Sequence, residues 1–135
     1  MKRLLEQIAQ TNRYKKEAPL ETIDIIQTQK TLVKDGYPFL PVEFIEFLKH
    51  HNGLSATDSA VLGILKNNSP LDICTYNKVF NAIENTAILA YDDMTYLVFD
   101  NDENTYKLVD RTDFVTIDEY LSGELVYALN SILHF

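Results

Sequence analysis

The hydrophobic pattern changes period near the middle of the chain, and no other feature restricts the possible folds as much. Up to Gly53 the apolar residues recur at three- and four-residue spacing, as on amphipathic helices. Beyond residue 60 they come as short runs broken by Asp, Asn, Ser, Gly and Pro, as in strands joined by tight turns. Helices first, a block of strands next and one more apolar helical stretch last imply an α+β fold. In it, N-terminal helices and a C-terminal helix pack on a central, mostly antiparallel sheet. At 135 residues the chain can bury one core but not two, so a single domain over residues 1–135 is expected. Residues 1–19 would be an N-terminal helix and a basic connection, and residues 20–135 the core.

Individual elements can be placed. Leu4, Leu5 and Ile8 mark a first helix, and the polar stretch Thr11-Asn12-Arg13-Tyr14-Lys15-Lys16-Glu17 follows it. After Pro19, residues 20–34 read as a second helix that buries either Ile23, Ile26 and Val33 or Ile25, Gln29 and Leu32, closed by Asp35-Gly36. The third helix is the most fully specified. Pro41 suits its first position, Glu43 and Glu46 suit the positive end of its dipole, and Phe44, Ile45, Phe47 and Leu48 form its apolar stripe. Lys49, His50 and His51 fill its last turn before Asn52-Gly53.

Residues 60–65 read as a buried strand and residues 76–83 as a brief helix. The runs 87–91, 94–99 and 105–109 are separated by Asp92-Asp93 and by Asp100-Asn101-Asp102-Glu103-Asn104, which predicts an antiparallel meander. Thr116-Ile117-Asp118-Glu119 matches a capping box ahead of Tyr120, Leu121, Leu125, Leu129, Ile132 and Leu133, so the last helix is expected to begin there, with Gly123 inside it. Along the central strand Met94, Tyr96 and Val98 share one face and Thr95, Leu97 and Phe99 the other, so both faces are apolar. One face should meet helices. The other requires cover from the N-terminal segment or a partner, or else forms a surface patch.

Charge narrows the partners. The net charge is -8, and it is polarised: residues 1–50 carry eight basic and seven acidic side chains, residues 51–135 four basic and thirteen acidic. Binding a phosphate backbone requires clustered Lys and Arg, so nucleic acid is not an expected partner. No apolar run approaches the roughly 18 residues of a membrane span, and Glu6 and Gln7 interrupt any signal-peptide core; with the single Cys74 this points to the cytoplasm.

Few residues carry chemistry. The stretch from Asp100 begins like a calcium loop but has Thr105 where glycine is needed and Arg111 where the bidentate glutamate belongs, so a solvated turn is expected. His50 and His51 point about 100° apart on a helix and cannot share a metal. Cys74 reads as a small apolar residue, and Glu43 and Glu46 as water-facing helix carboxylates rather than a glycosidase pair. Asn67-Asn68-Ser69 matches a glycosylation pattern that a cytoplasmic chain would not use. Tyr91, Tyr96, Tyr106, Tyr120 and Tyr127 are expected at the rim of the core with hydroxyls in water. No catalytic residue, metal ligand or cofactor site is expected. The one binding feature is a set of five acids with no intervening Lys or Arg: Asp92, Asp93, Asp100, Asp102 and Glu103, expected to set up a negative field at one end of the sheet.

The segment Leu40-Pro41-Val42-Glu43-Phe44-Ile45-Glu46-Phe47-Leu48 followed by Asn52-Gly53 resembles the signature of the SUKH superfamily, which includes a cell-wall assembly regulator and many bacterial immunity proteins. The YrhA-like branch is the most similar. Asn77-Lys78-Val79-Phe80, the strands at 96–100 and 106–110, and Ile117-Asp118-Glu119-Tyr120-Leu121 as the start of the terminal helix extend the likeness over roughly residues 20–133. Phe80 departs from it, standing where relatives often carry tryptophan. The resemblance implies a non-enzymatic protein-binding module that neutralises a cognate toxin, with a basic toxin domain drawn to the acidic surface. Two alternatives accompany it: a small metal-dependent hydrolase using Asp92, Asp93 and Asp100 with a divalent ion, and a housekeeping regulatory interaction domain with no toxin partner.

Overall fold

The computed structural model describes residues 1–16 and 19–135; Glu17 and Ala18, at the end of the basic connection, lie outside the described residues. The elements run α1 (Lys2–Gln10), β1 (Lys15–Lys16), α2 (Thr22–Lys34), α3 (Val42–His50), β2 (Leu54–Ser55) and β3 (Ala60–Val61). Then follow α4 (Ile73–Phe80), β4 (Thr86–Tyr91), β5 (Thr95–Asp100), β6 (Thr105–Asp110), β7 (Thr116–Leu121) and α5 (Leu125–Leu133). The strands form one sheet in sequence order, β1 to β7, with every neighbour antiparallel. This is the expected α+β fold with a C-terminal helix on the sheet.

Several expectations are met in detail. The stripe of α3 is buried throughout at Phe44, Ile45, Phe47 and Leu48. Pro41 is displaced by one position, serving as the N-cap with extended backbone. Of the two faces offered for α2, the structure selects the one with Leu32 and the half-buried Ile25, joined by Thr28, and leaves Ile23, Ile26 and Val33 exposed. Lys15-Lys16 is not just a connection, because it pairs with Leu54–Ser55 as the first edge strand.

Three assignments change. The strand placed at 60–65 is regular only at Ala60–Val61; its remainder bends away, with Gly63 bridged to Asp72. The helix placed at 76–83 begins three residues earlier, where the Asp72 side chain accepts from the Thr75 N–H at 3.2 Å and caps it. The capping box at 116–119 is not one. Residues 116–121 are the edge strand β7, Gly123 turns the chain with φ +92°, and α5 starts at Leu125.

Both faces of β5 are buried, as its composition required, and the cover comes from this chain. Cross-strand partners share a face. Tyr96 with Tyr91 and Val109 lies on the face that α4 covers through Tyr76. Phe99 with Tyr106 lies on the opposite face, where α5 crosses β4 to β7 and α3 approaches through Glu43. The Tyr106 hydroxyl is not in water; it donates to the Glu43 carboxylate, which also accepts the Gly123 N–H at 3.1 Å. Glu43 therefore ties α3 to the turn between β7 and α5 instead of facing solvent freely.

Two asparagines replace missing strand neighbours. Asn52 donates to the Ile64 carbonyl and accepts from its N–H, both at 2.8 Å. Asn77 accepts from the Ile88 N–H at 2.7 Å and donates to the Ile88 carbonyl at 3.1 Å. Each amide side chain satisfies both backbone groups of one buried residue where the sheet has no strand to offer.

Candidate functional site

In an antiparallel meander alternate turns fall at the same end of the sheet, and this decides which acidic residues meet. The β4–β5 turn carries Asp92 and Asp93. Thr95 pairs with Asp110, and the Arg111 N–H donates to the Met94 carbonyl at 3.0 Å, so the β6–β7 turn with Asp110 and Asp113 lies beside it. The β2–β3 turn joins them: Ala60 pairs with Tyr91, and Asp58, Asp92 and Asp93 line a common pocket of about 390 Å³ with Arg13, Tyr14, Ser59 and His134. Asp58, Asp92, Asp93, Asp110 and Asp113 thus lie along one end of the sheet on three turns, with Asp92 and Asp93 between the other two groups.

The five acids expected to act together are not brought together. Asp100 ends β5 and Asp102 and Glu103 follow it, about 20 Å from Asp93 at a strand rise of ~3.3 Å per residue. Asp92 and Asp93 form one group, and the other three form a second. The triad imagined for a metal-dependent hydrolase is divided the same way. Among the described residues no three of His, Cys, Asp and Glu are arranged to hold a metal ion.

Most carboxylates at the convergent end also shape their turns. Asp92 Oδ1 accepts from the N–H groups of Met94 (3.0 Å) and Thr95 (2.7 Å), Asp110 Oδ1 from Thr112 (2.7 Å), and Asp113 Oδ1 from Val115 (2.9 Å). Each of these acids commits an oxygen to its turn. Asp58 and Asp93 are exposed and have no hydrogen bond or ion pair among those of the described residues. Two guanidiniums balance part of this charge and are themselves fixed. Arg13 lies 4.9 Å from the Tyr14 ring and 4.6 Å from the Phe135 ring and donates to the Leu133 carbonyl. Arg111 sits 5.2 Å from the Tyr91 ring and 4.9 Å from the Tyr96 ring and donates to the Asp92 carbonyl at 2.6 Å. His134 Nε2 lies 4.0 Å from Asp92 Oδ2, and five carboxylates still outnumber these cationic groups, so the end stays negative.

An aromatic flank adjoins it. Tyr76 stacks on Tyr91 with centroids 5.2 Å apart and planes 8° apart, meets Phe80 at 4.5 Å, and Tyr96 stacks on Phe114 at 6.5 Å. Burial raises the Tyr91 hydroxyl's pKa above the ordinary tyrosine value, although Arg111 pulls the other way. Phe80 and Met94 remain substantially exposed at its border. Tyr, Arg and Met are enriched where protein surfaces bind each other and Asp and Glu are depleted there, so the flank matches an interface in composition and the acids add charge at its edge.

At the opposite end one lysine offsets part of the charge of three acids. Lys107 Nζ lies 2.9 Å from Asp100 and 3.1 Å from Glu103, and Asp102 accepts from Asn85 at 3.1 Å. Burial pushes the Asp100 carboxyl up, but Lys107 and the N–H groups of Glu103 and Asp102 outweigh it and hold the group below the usual carboxylate range. The hydrogen bond to Asp100 raises Lys107 above the ordinary lysine value. The Asp100 contribution is present above its unfolded pKa and is lost as pH falls through the depressed value; that of Lys107 is lost only as pH rises through the raised one. Lys107→Met is therefore expected to lower the unfolding free energy by about 1–2 kcal/mol at neutral pH, with a difference from wild type that vanishes in strong acid. Urea midpoints measured along a descending pH series check this, and a pH-independent difference would contradict it.

The remaining candidates are structural. His51 Nε2 lies 3.3 Å from the Leu5 carbonyl, tying α3 to α1, and His50 is exposed. Cys74 is only half-buried; burial first, then Asp72 and Asp35, push its thiol up to about 12, far from a reactive thiolate. Asp110 and Asp113 were missed by reading acids as a contiguous run; the alternation of turns in the meander was the signal that places them beside Asp92, and Asp58 had no such signal.

Searches of protein families, of characterised proteins and of solved structures returned no match to this chain. Among the described residues, no helix is long and apolar enough to cross a membrane.

Proposed function

We propose that this chain is a non-enzymatic protein-binding module of the immunity type, which neutralises a cognate toxin by docking a basic domain of it on the acidic end of the sheet. One observation carries the reading. Asp58, Asp92, Asp93, Asp110 and Asp113 lie on three separate turns at one end of the sheet beside an aromatic and arginine flank; among the described residues Arg13 and Arg111 oppose them, and His134 Nε2 lies 4.0 Å from Asp92 Oδ2. Such a surface speeds encounter with a basic partner and rejects acidic ones. The likeness of residues 40–53 to the SUKH signature supplies the class of partner. The residues of that signature serve packing and backbone satisfaction in this fold, and the docking surface lies elsewhere.

The test is co-expression with a basic toxin domain encoded beside the gene. The wild-type chain is expected to co-purify with the toxin, to protect the cell, and to release the toxin as salt is raised. Changing Asp92, Asp93 and Asp110 together to Asn keeps the acceptor oxygens that hold the turns and removes three charges. That variant should unfold like wild type yet bind on the order of a hundredfold more weakly. Undiminished binding and protection by the folded variant would refute the assignment of this surface.

A further inference from the structure

Strand β7 is the last in the sheet, and no described strand pairs with its outer edge. Edges in soluble proteins are usually blunted by lysine, proline, bulges or a covering segment. β7 has no lysine or proline; its register with β6 shifts at Ile117, so the regular edge runs from Asp118 to Leu121, and Ile117 and Leu121 are 57% and 64% exposed. The register shows which backbone groups turn outward. Glu119 and Leu121 stand opposite Lys107 and Thr105, yet their N–H groups donate to the carboxylates of Asp118 (2.9 Å) and Glu124 (2.7 Å). These outward donors are held by carboxylates that an incoming carbonyl can replace. Asp118, Glu119 and Glu124 have no ion pair among the described residues, and Lys107 is engaged by Asp100 and Glu103.

We propose that this edge accepts an extended basic segment of another protein as an additional strand. Its carbonyls take the N–H groups of Glu119 and Leu121, its apolar side chains lie along Ile117 and Leu121, and its Lys or Arg side chains pair with the displaced carboxylates. Charge selects this occupant over a second copy of the chain. The midpoint of β7 falls between Asp118 and Glu119, so antiparallel self-pairing about that point would set Asp118 directly opposite Glu119 of the copy on each face, a like-charge pair twice over. The surface is separate from the acidic end used in the functional reading, and it stands or falls on its own test.

The probe is a fluorescein-labelled peptide of alternating lysine and valine, with a second copy N-methylated at every other amide. Titration into the full chain is expected to shift the amide resonances of residues 116–121. N-methylation should weaken binding about tenfold or more, because it blocks the ladder without altering charge. Asp118→Asn combined with Glu119→Gln should weaken the unmethylated peptide about tenfold while leaving thermal unfolding unchanged. Equal binding of the methylated copy overturns the proposal, as do shifts confined to the turns at 92–93 and 110–113. Concentration-dependent dimerisation that protects the β7 amides also overturns it, by assigning the edge to a second copy. Toxin binding by the Asp92, Asp93 and Asp110 variant reads the functional proposal alone and N-methyl-sensitive peptide binding at β7 reads this one alone, so either can fail without the other.

Discussion

Asn77→Ala is expected to lower the unfolding free energy by about 3–5 kcal/mol, a large part of the stability of a domain this size. The side chain is fully buried. Strand β3 pairs with β4 only at Ala90 and Tyr91, so on that side Ile88 has no strand to satisfy its N–H and carbonyl. Asn77 reaches across from α4 and bonds both, and its amide also donates to the Ile73 carbonyl at 2.8 Å and accepts from Asn81 at 2.9 Å. Truncation leaves a buried donor and a buried acceptor unpaired, at about 1–3 kcal/mol each, and opens a small void besides. Asn77→Asp should be at least as harmful, because it keeps the acceptor, loses the donor and buries a charge. Urea unfolding followed by far-ultraviolet circular dichroism measures this, with exposed Lys78→Ala on the same helix as a control within about 0.5 kcal/mol of wild type. A loss below about 1 kcal/mol for Asn77→Ala would mean that the substitute ladder contributes little.

The elements that could be read from sequence were those whose local signals agree with their tertiary roles. In α3 the proline entry, the stripe of Phe44, Phe47 and Leu48 and the closing Asn-Gly all point the same way, and every stripe residue is buried. In β4 to β6 the turn-forming acids bound apolar runs, and the strands lie within a residue or two of those runs. The failure at 116–119 shows the opposite case. Thr116 and Glu119 have capping-box spacing, but Glu119 stands across from Lys107 and its N–H is bonded to the neighbouring Asp118 side chain. An edge strand with one side in water buries too little to show a clean alternation, so four residues fitting a helix motif outweighed it. Gly123, a left-handed turn residue, was the available evidence that the helix starts later.

The candidate site was legible in its ingredients but not in its assembly. Asp92 and Asp93 could be read as turn residues with charge, and the structure uses Asp92 that way. Joining them to Asp100, Asp102 and Glu103 followed proximity in sequence, although a six-residue strand must carry the second group to the other end of the sheet. The meander already implied that the turn after β6 returns to Asp92. Asp58 was beyond reach, because its position depends on β2 and β3, two-residue strands with too little pattern to be seen. Arg111, noticed only as a failed calcium ligand, lies over Tyr91 and Tyr96 because the β6–β7 turn brings it to the start of β5, which no local pattern reveals.

Gly63→Ala is expected to cost about 3 kcal/mol, for want of space rather than for backbone conformation, since Gly63 is not among the residues with positive φ. A Cβ built there would lie 2.8 Å from the Gly53 nitrogen, 2.9 Å from the Asn52 carbonyl carbon and 2.8 Å from Asn52 Oδ1. Two of these three atoms are backbone and cannot swing aside. The third belongs to the side chain that satisfies Ile64, so relieving the clash also breaks the pair of 2.8 Å hydrogen bonds. The Asn52-Gly53 pair that closes the most recognisable motif of the chain thus works as half of a close crossing, with Gly63 as the other half. Gly36→Ala separates the two causes: φ is +92° and nothing lies within 4 Å, so only left-handed strain of about 1–2 kcal/mol is expected. Asn52→Ala with Gly63→Ala should cost less than the sum of the single changes, because both break the same bonds and one clash disappears. Denaturant midpoints for the four chains measure the coupling. Additive losses, or a Gly63→Ala chain as stable as wild type, would show that residues 52–53 and 63 do not cross this closely in solution, and the backbone role given to Asn52 would then have to be withdrawn.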